Sequence, residues 1–554
     1  MPAQAVLEQF ASPKKTILLE LFFCTSLPVN DADLASLGLA LGVYFLTSAA
    51  RAAHGLSDVG SVHNAQDRAF AAGGHFAEHR CAVASTPLAG TVAGVTASAT
   101  TPTGHYKQVL HTPPLFLAGA AAVSLVLALS RWGTNMGFSP LFITDVLIAA
   151  SLVHLSVTHL NMGSRITTGW VPRSTPTLLF RIFFVYILAR FTTSVGNAPV
   201  LDWLRDGVPF LYGVMAFIGA RALAVSAATT RDRTMRVIWS AMIIHLVWTA
   251  FVVLTDQRAG FTAPAPFFAA PVFQLRPDID AALIAVAVGM LLRHTLTHKR
   301  KFLALVALVL GIVTVFSLGT RAGLLSLFVA LAVSFFITFA SLGRKDGRRI
   351  LLVMLVPAVV ITLSAILPFT VPGQRMLATI SPSSSYGEVQ DSATGTQRAR
   401  ALTWTTIIEW TQEDTARQVF GSGFGNDFLA ESGTKAFLEG TTYENVRSPH
   451  NWFVGIYARM GLIGTLIAVA VILELGSLIS TNRKRIGSEP ILAVSALIVC
   501  AILPVASLGV VLEAPFGAVP FFWAAGLLMT LARKSMPTDA ASSLRHTGQE
   551  ALGE

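Results

Sequence analysis

Charge and cysteine are both scarce in this 554-residue sequence. Only 13% of the residues are Asp, Glu, Lys or Arg, about half the share typical of soluble domains, so a chain of this length cannot be covered by a solvated surface. Three cysteines, Cys24, Cys81 and Cys500, lie far apart and two of them sit in apolar runs, which indicates neither a disulfide framework nor a metal-ligand cluster. Acidic pairs with metal-site spacing are missing as well. Glu409, Glu413 and Asp414 stand close in sequence, but acids so placed solvate a loop helix or pair with its arginines. Nucleotide fingerprints are also absent: the cluster Phe420-Gly-Ser-Gly-Phe-Gly425 has no strand before it and no lysine-serine pair after it.

Apolar runs are abundant. Mean hydropathy is +0.62, 53% of residues are hydrophobic, and runs long enough to cross a bilayer recur along the chain. The fold class is therefore an all-α polytopic membrane protein with about 12–14 transmembrane helices and one large outer loop. Residues 1–50 read as an N-terminal hairpin of two spans, 51–113 as a flexible cytoplasmic insertion, and 114–370 as the main bundle. Residues 371–449 form an extracytoplasmic loop with amphipathic helices, 450–532 the C-terminal spans, and 533–554 a cytoplasmic tail. His54, His63, His75 and His79 in the insertion match no compact zinc spacing.

The formal charge of +10 does not call for nucleic acid, because the bases gather in short connections at 229–236, 293–301, 343–349 and 482–485. With alternating spans these four share one side, which the positive-inside bias makes the cytoplasm. Membrane lipids are the expected surroundings. The loop at 371–449 and the turn Gly319-Thr320-Arg321 then face outward.

Three features stand on that outer side. Ser448-Pro449-His450-Asn451 leads into an apolar run, and Ser448 as cap with Pro449 in the first position predicts a helix with His450 in its first turn. At 100° per residue His450, Val454, Tyr457, Gly461 and Gly464 share one stripe, a pattern equally suited to a small-residue packing face and to a base above a glycine-lined surface. Arg321 opens a span, where the helix dipole disfavours a cation and positive charge is depleted, so an anion is expected beside it unless it simply reaches to the headgroups. Arg190, near the outer end of a span at 175–193, is a further candidate for the same anion. Within the loop, SPSSSYGEVQDSATGT reads as a linker. From Gln397 the pattern becomes helical, with Arg398, Arg400, Trp404 and Ile408 on a helix lying on the membrane face. The glycine cluster is a turn whose amides could line an anion pocket.

Taken in order, these motifs resemble those of the O-antigen ligase and polymerase superfamily, over about residues 300–480. Thr320-Arg321-Ala322-Gly323 is similar to the family's arginine-glycine motif, and Arg400 with Trp404 resembles its loop arginine and tryptophan. His450-Asn451, nine residues and Gly461-Leu-Ile-Gly464 fit the ligase-type pattern. The resemblance implies a GT-C-like membrane glycosyltransferase bundle. It implies a donor glycan on polyprenyl, usually undecaprenyl, diphosphate and a glycan, glycolipid or glycoprotein acceptor, with no metal or other cofactor. His450 would then be the catalytic base, and Arg321 and Arg400, with Arg398 and Arg190 as further candidates, would hold the diphosphate. A transporter or flippase of lipid-linked glycan is the alternative, and a membrane scaffold the third reading. Ligation and polymerisation are not separated by these motifs.

Overall fold

The computed structural model describes residues 114–138, 141–161, 175–225, 228–257, 273–298, 301–342, 388–437 and 446–532, with isolated positions at 271, 362–377 and 439. The N-terminal hairpin, the 51–113 insertion, most of the expected span near 349–370 and the C-terminal tail lie outside the described residues.

Helices dominate. The first part of the bundle contains α1 (Pro114–Thr134), α2 (Ile143–Asn161), α3 (Thr175–Thr193), α4 (Val200–Leu211), α5 (Val214–Val225) and α6 (Ala228–Leu254). It continues with α7 (Pro277–Thr297), α8 (Phe302–Leu318) and α9 (Arg321–Ser341). The loop region carries α10 (Glu388–Gln412), α11 (Thr415–Phe420) and α12 (Phe428–Glu431). Last come α13 (Trp452–Thr481), α14 (Arg483–Ser488), α15 (Pro490–Leu508) and α16 (Pro515–Met529). Among the described residues, strand pairing is confined to a two-residue antiparallel ladder, Gly137–Phe138 with Leu141–Phe142. Seven helices of this set are long and apolar enough to cross a membrane, and the chain is an all-α multi-pass membrane protein.

Burial separates core from periphery. The α7 and α16 windows are 83% buried, whereas α3 is 28% and α13 33% buried, so the latter two lie at the rim. Leu462, Leu466 and Leu473 of α13 are exposed, as a lipid-facing surface requires. Small residues let the inner helices approach closely. Ser334 Oγ of α9 donates to the Gly289 carbonyl of α7 at 2.6 Å, and Ser326 Oγ donates to the Ala501 carbonyl of α15 at 2.7 Å.

The structure corrects two helical expectations here. The run near 206–227 is two helices, because Pro209 removes one rung of the backbone ladder and Tyr212-Gly213 close a turn of shorter bonds. Tyr212 pins that break by donating to Asp145 Oδ1 at 2.7 Å. The loop helix α10 starts at Glu388, well before the apolar pattern. Extending a formed helix costs little, and the polar residues 388–396 carry no apolar stripe to announce it. The apolar face of α10 packs inside the protein. Ile407 and Trp410 are buried with Phe428 and Leu429 of α12 and Val454 and Ala458 of α13, so the loop region and the start of that span share a small core.

A third correction concerns α13. Gly461 has φ +64° and ψ −166°, so the helix is broken there and the stripe from His450 to Gly464 is not one straight face. The break frees three carbonyls, and each finds a donor. Ser422 N donates to Ala458 O at 2.8 Å, Gly423 N to Arg459 O at 2.9 Å, and the Tyr186 hydroxyl to Met460 O at 2.9 Å. The glycine cluster therefore docks backbone to backbone on the break, and its amides at 422 and 423 are spent on helix carbonyls instead of lining an anion pocket.

A Cβ at Gly421 would overlap the backbone of Arg459 and Met460, and one at Gly461 the backbone of Val419 and Gly421. Gly433 also has positive φ but open space around it. In detergent melts, Gly433→Ala is expected to lose the roughly 1–2 kcal/mol of a left-handed alanine. Gly421→Ala and Gly461→Ala should lose clearly more. Equal losses at all three positions would mean that the docking contact does not matter.

Candidate active site

His450 sits just before α13 and not in its first turn. Asn451 is the cap: its side-chain oxygen accepts from Phe453 N at 2.9 Å and Val454 N at 3.3 Å. Asparagine outcompetes Ser448 because it stands directly before the apolar run, where its oxygen reaches the first free amides. His450 itself adopts φ +53°, a left-handed conformation uncommon for histidine. Such strain persists only where the surroundings enforce it. On one side the cap fixes Asn451; on the other, Trp404 Nε1 donates to the Pro449 carbonyl at 2.7 Å.

That last bond explains the spacing of Arg400 and Trp404. Four residues apart, they share a face of α10, so the tryptophan that clamps Pro449 carries Arg400 alongside His450. The Arg400 and Arg276 guanidinium groups both act on the imidazole. Burial first, then these two cations, hold His450 down to about 4.

Arg321 reaches the same place from α9. Thr320 caps that helix by accepting from Gly323 N at 3.1 Å, and Gly323 packs against Ala281 of α7, where a Cβ would collide. Gly319, with φ +75°, ends α8, and its carbonyl accepts from Arg375 Nη1 at 3.3 Å. The Arg400 and Arg375 charges both act on Arg321, and Arg400 also acts on Asp278 in the first turn of α7. Arg276 and Arg400 thus act on a neutral histidine, and Arg400 links it to Arg321 and Arg375. Like charges gathered in this way suit a multivalent anion. Beside it opens a cavity of about 320 Å³, whose wall includes His450 and Arg276.

Residues 306–469 match the model of the O-antigen ligase family. In that stretch the chain is similar to the O-antigen ligases. The matched stretch contains Arg321, Arg400, the glycine cluster and His450, and it coincides closely with the region of motif resemblance. A comparison with curated proteins found no match.

Not every expected residue joins the cluster. Arg190 Nη2 donates to the Gly421 carbonyl at 2.9 Å, so it braces the docked glycine turn. Arg398 belongs to α10, but its side chain lies outside the described residues.

Several residues of the site escaped the sequence reading. Arg276 directly precedes Pro277 at the start of α7, and a cation at a helix start is the same signal that Arg321 carries. Arg447 and Arg459 carried no such signal. Arg447 reaches Asp206 at 3.0 Å, Asp427 at 3.6 Å and Asp202 at 3.7 Å. Arg459, in α13, reaches Glu513 at 3.4 Å and Asp206 at 3.5 Å, and donates to the Arg447 carbonyl at 3.3 Å. This network ties the end of the outer loop to α4, α12, α13 and the turn before α16, and so fixes the backbone three residues from His450.

Proposed function

We propose that this protein transfers a glycan from a polyprenyl diphosphate carrier, undecaprenyl diphosphate in a bacterial plasma membrane, to a hydroxyl of a cell-envelope acceptor on the extracytoplasmic face. The observation that carries this reading is Arg400, whose charge acts both on His450, together with Arg276, and on Arg321, together with Arg375. The ligase-family match, which contains Arg321, Arg375, Arg400 and His450, supports it.

The chemistry follows from the charges. His450 takes the proton of the acceptor hydroxyl as its oxygen attacks the anomeric carbon of the donor. The bond from that carbon to the diphosphate oxygen breaks, and the electron pair leaves on the diphosphate. Negative charge grows on that leaving group, and fixed guanidinium groups nearby stabilise it most where charge develops. Arg321 at the start of α9 and Arg400 on α10 approach the diphosphate from two elements, with Arg375 behind Arg321.

Purified protein in detergent, given an undecaprenyl diphosphate glycan and candidate acceptors, tests this directly. Wild type should form product. Arg321→Ala and Arg400→Ala should each cost about 2.7–4 kcal/mol of transition-state stabilisation, on the order of 10²–10³-fold in kcat/KM for the donor. Lysine should restore part of it, since it keeps the charge but loses the planar fork. Full activity of both alanine variants would remove the diphosphate assignment, and flipping of the lipid-linked glycan without transfer by wild type in proteoliposomes would favour a flippase.

A further inference from the structure

The cavity beside His450 has a charge imbalance that its own ion pairs do not remove. Its wall holds four arginines, Arg205, Arg276, Arg447 and Arg459, against two carboxylates, Asp206 and Glu513. Arg447 and Arg459 account for both acids, through contacts of 3.0 to 3.5 Å. Arg205 and Arg276 remain. Among the described residues no carboxylate lies within ion-pair distance of either guanidinium. Arg276 feels Asp278 and Asp280 at longer range, is repelled by Arg131, and rests its guanidinium over the Phe516 ring at 5.4 Å. A half-buried cation that lacks a contact ion pair beside a ligand-sized cavity is compensated best by something that enters the cavity.

The wall is also selective in what it shares with the arginine cluster. It contains His450 and Arg276 but not Arg321, Arg375 or Arg400. A base must touch the hydroxyl it deprotonates, so the diphosphate on the far arginines and the acceptor in the cavity would meet across His450. At about 320 Å³ the cavity stands at the small end of ligand pockets, roughly 300–1,000 Å³, and admits the reacting end of an acceptor.

Resting on the glycan-transfer reading, we infer that this cavity is the acceptor site, and that the acceptor carries an anionic group, a carboxylate or a phosphate, near the hydroxyl that reacts. Arg276 is its principal counter-ion and Arg205, at the exposed rim, its second. Arg276 then reads the acceptor while standing next to the base, which couples correct charge to correct placement.

Two measurements on the full-length protein in nanodiscs test this. The probes are a methyl hexoside, the matching methyl hexuronide and the methyl hexoside phosphate. Calorimetric binding should favour both anionic probes over the neutral one by about tenfold or more. In transfer assays with a fixed donor, the ratio of kcat/KM for anionic over neutral acceptor should show the same preference. Arg276→Gln should pull that ratio toward one, Arg276→Lys should hold much of it, and Arg205→Gln should reduce it in part. Taking the ratio cancels any change that Arg276 makes to His450 itself. Equal binding and equal transfer of charged and neutral probes by wild type would overturn the inference, as would a donor KM that rises in Arg276→Gln while the ratio stays put. Preferential anionic binding lost in Arg276→Gln, with no transfer to any acceptor, would uphold the anionic glycan site and defeat the transferase reading instead. A hexoside phosphate that binds while the hexuronide does not identifies a phosphate acceptor.

Discussion

Replacing His450 with alanine is expected to lower kcat for glycan transfer by about 10²–10⁴-fold, the range over which a positioned base contributes, while donor binding largely persists. Asparagine keeps hydrogen-bonding groups but cannot take a proton, so His450→Asn should fall nearly as far. If His450 only positions the diphosphate, Asn keeps most of the activity and donor affinity suffers instead. The pH profile sharpens the distinction. Burial together with Arg400 and Arg276 holds the imidazole down to about 4, so the acid limb of kcat/KM for the donor should lie near pH 4. A diphosphate bound against Arg400 offsets part of that field, and the limb in kcat should move upward. His450→Asn should lose this limb. An unchanged limb in the variant would assign the titration to another group. The same depression has a stability consequence. Between 6.5 and about 4 the unfolded chain binds the proton more readily than the folded one, so wild type loses stability as pH falls through that window, and His450→Asn is spared that share.

What could be read from the sequence divides along physical lines. Spans are legible because lipid demands continuous apolar runs, and α6, α7, α9, α13 and α15 fall where such runs were read. Arg321 was legible because a cation at an outer helix start violates two electrostatic expectations at once. Arg276 breaks the same rule but lay in a stretch read only as a connection. The spacing of Arg400 and Trp404 was visible, whereas its reason was not, since the partner of Trp404 is a backbone carbonyl 45 residues away. The glycine cluster shows the limit most clearly. Glycines tell that a backbone comes close to something, but only the break at Gly461 shows that the something is another backbone. Arg447, Arg459, Asp206 and Glu513 come from four separate elements, and no local pattern links residues whose pairing exists only after α4, α13 and the turn at 511–513 are packed.

That network should respond strongly to the loss of its central arginine. The Arg459 and Asp206 side chains are each only 3% exposed and Glu513 8%, so Arg459→Met leaves buried carboxylate charge without its main partner. Breaking a buried pair from one side costs about 3–5 kcal/mol, a large part of the roughly 5–15 kcal/mol that holds a typical fold. Thermal melts at neutral pH should show that loss, and transfer should fall with it, because Arg459 also holds the Arg447 carbonyl and hence the approach to His450. The deficit should shrink on acidification. Burial already raises the Glu513 carboxyl above its ordinary range with Arg459 in place, and removing the cation raises it further. With the folded state binding the proton more tightly than the unfolded one, stability of the variant rises as pH falls through that raised range. Arg459→Met combined with Glu513→Gln removes the charge altogether and should recover much of the loss at neutral pH, a coupling read directly from the double-mutant cycle. A single variant as stable as wild type at neutral pH, or a double variant no better than Arg459→Met at any pH, would show that the pair is not what fixes the outer loop to the bundle.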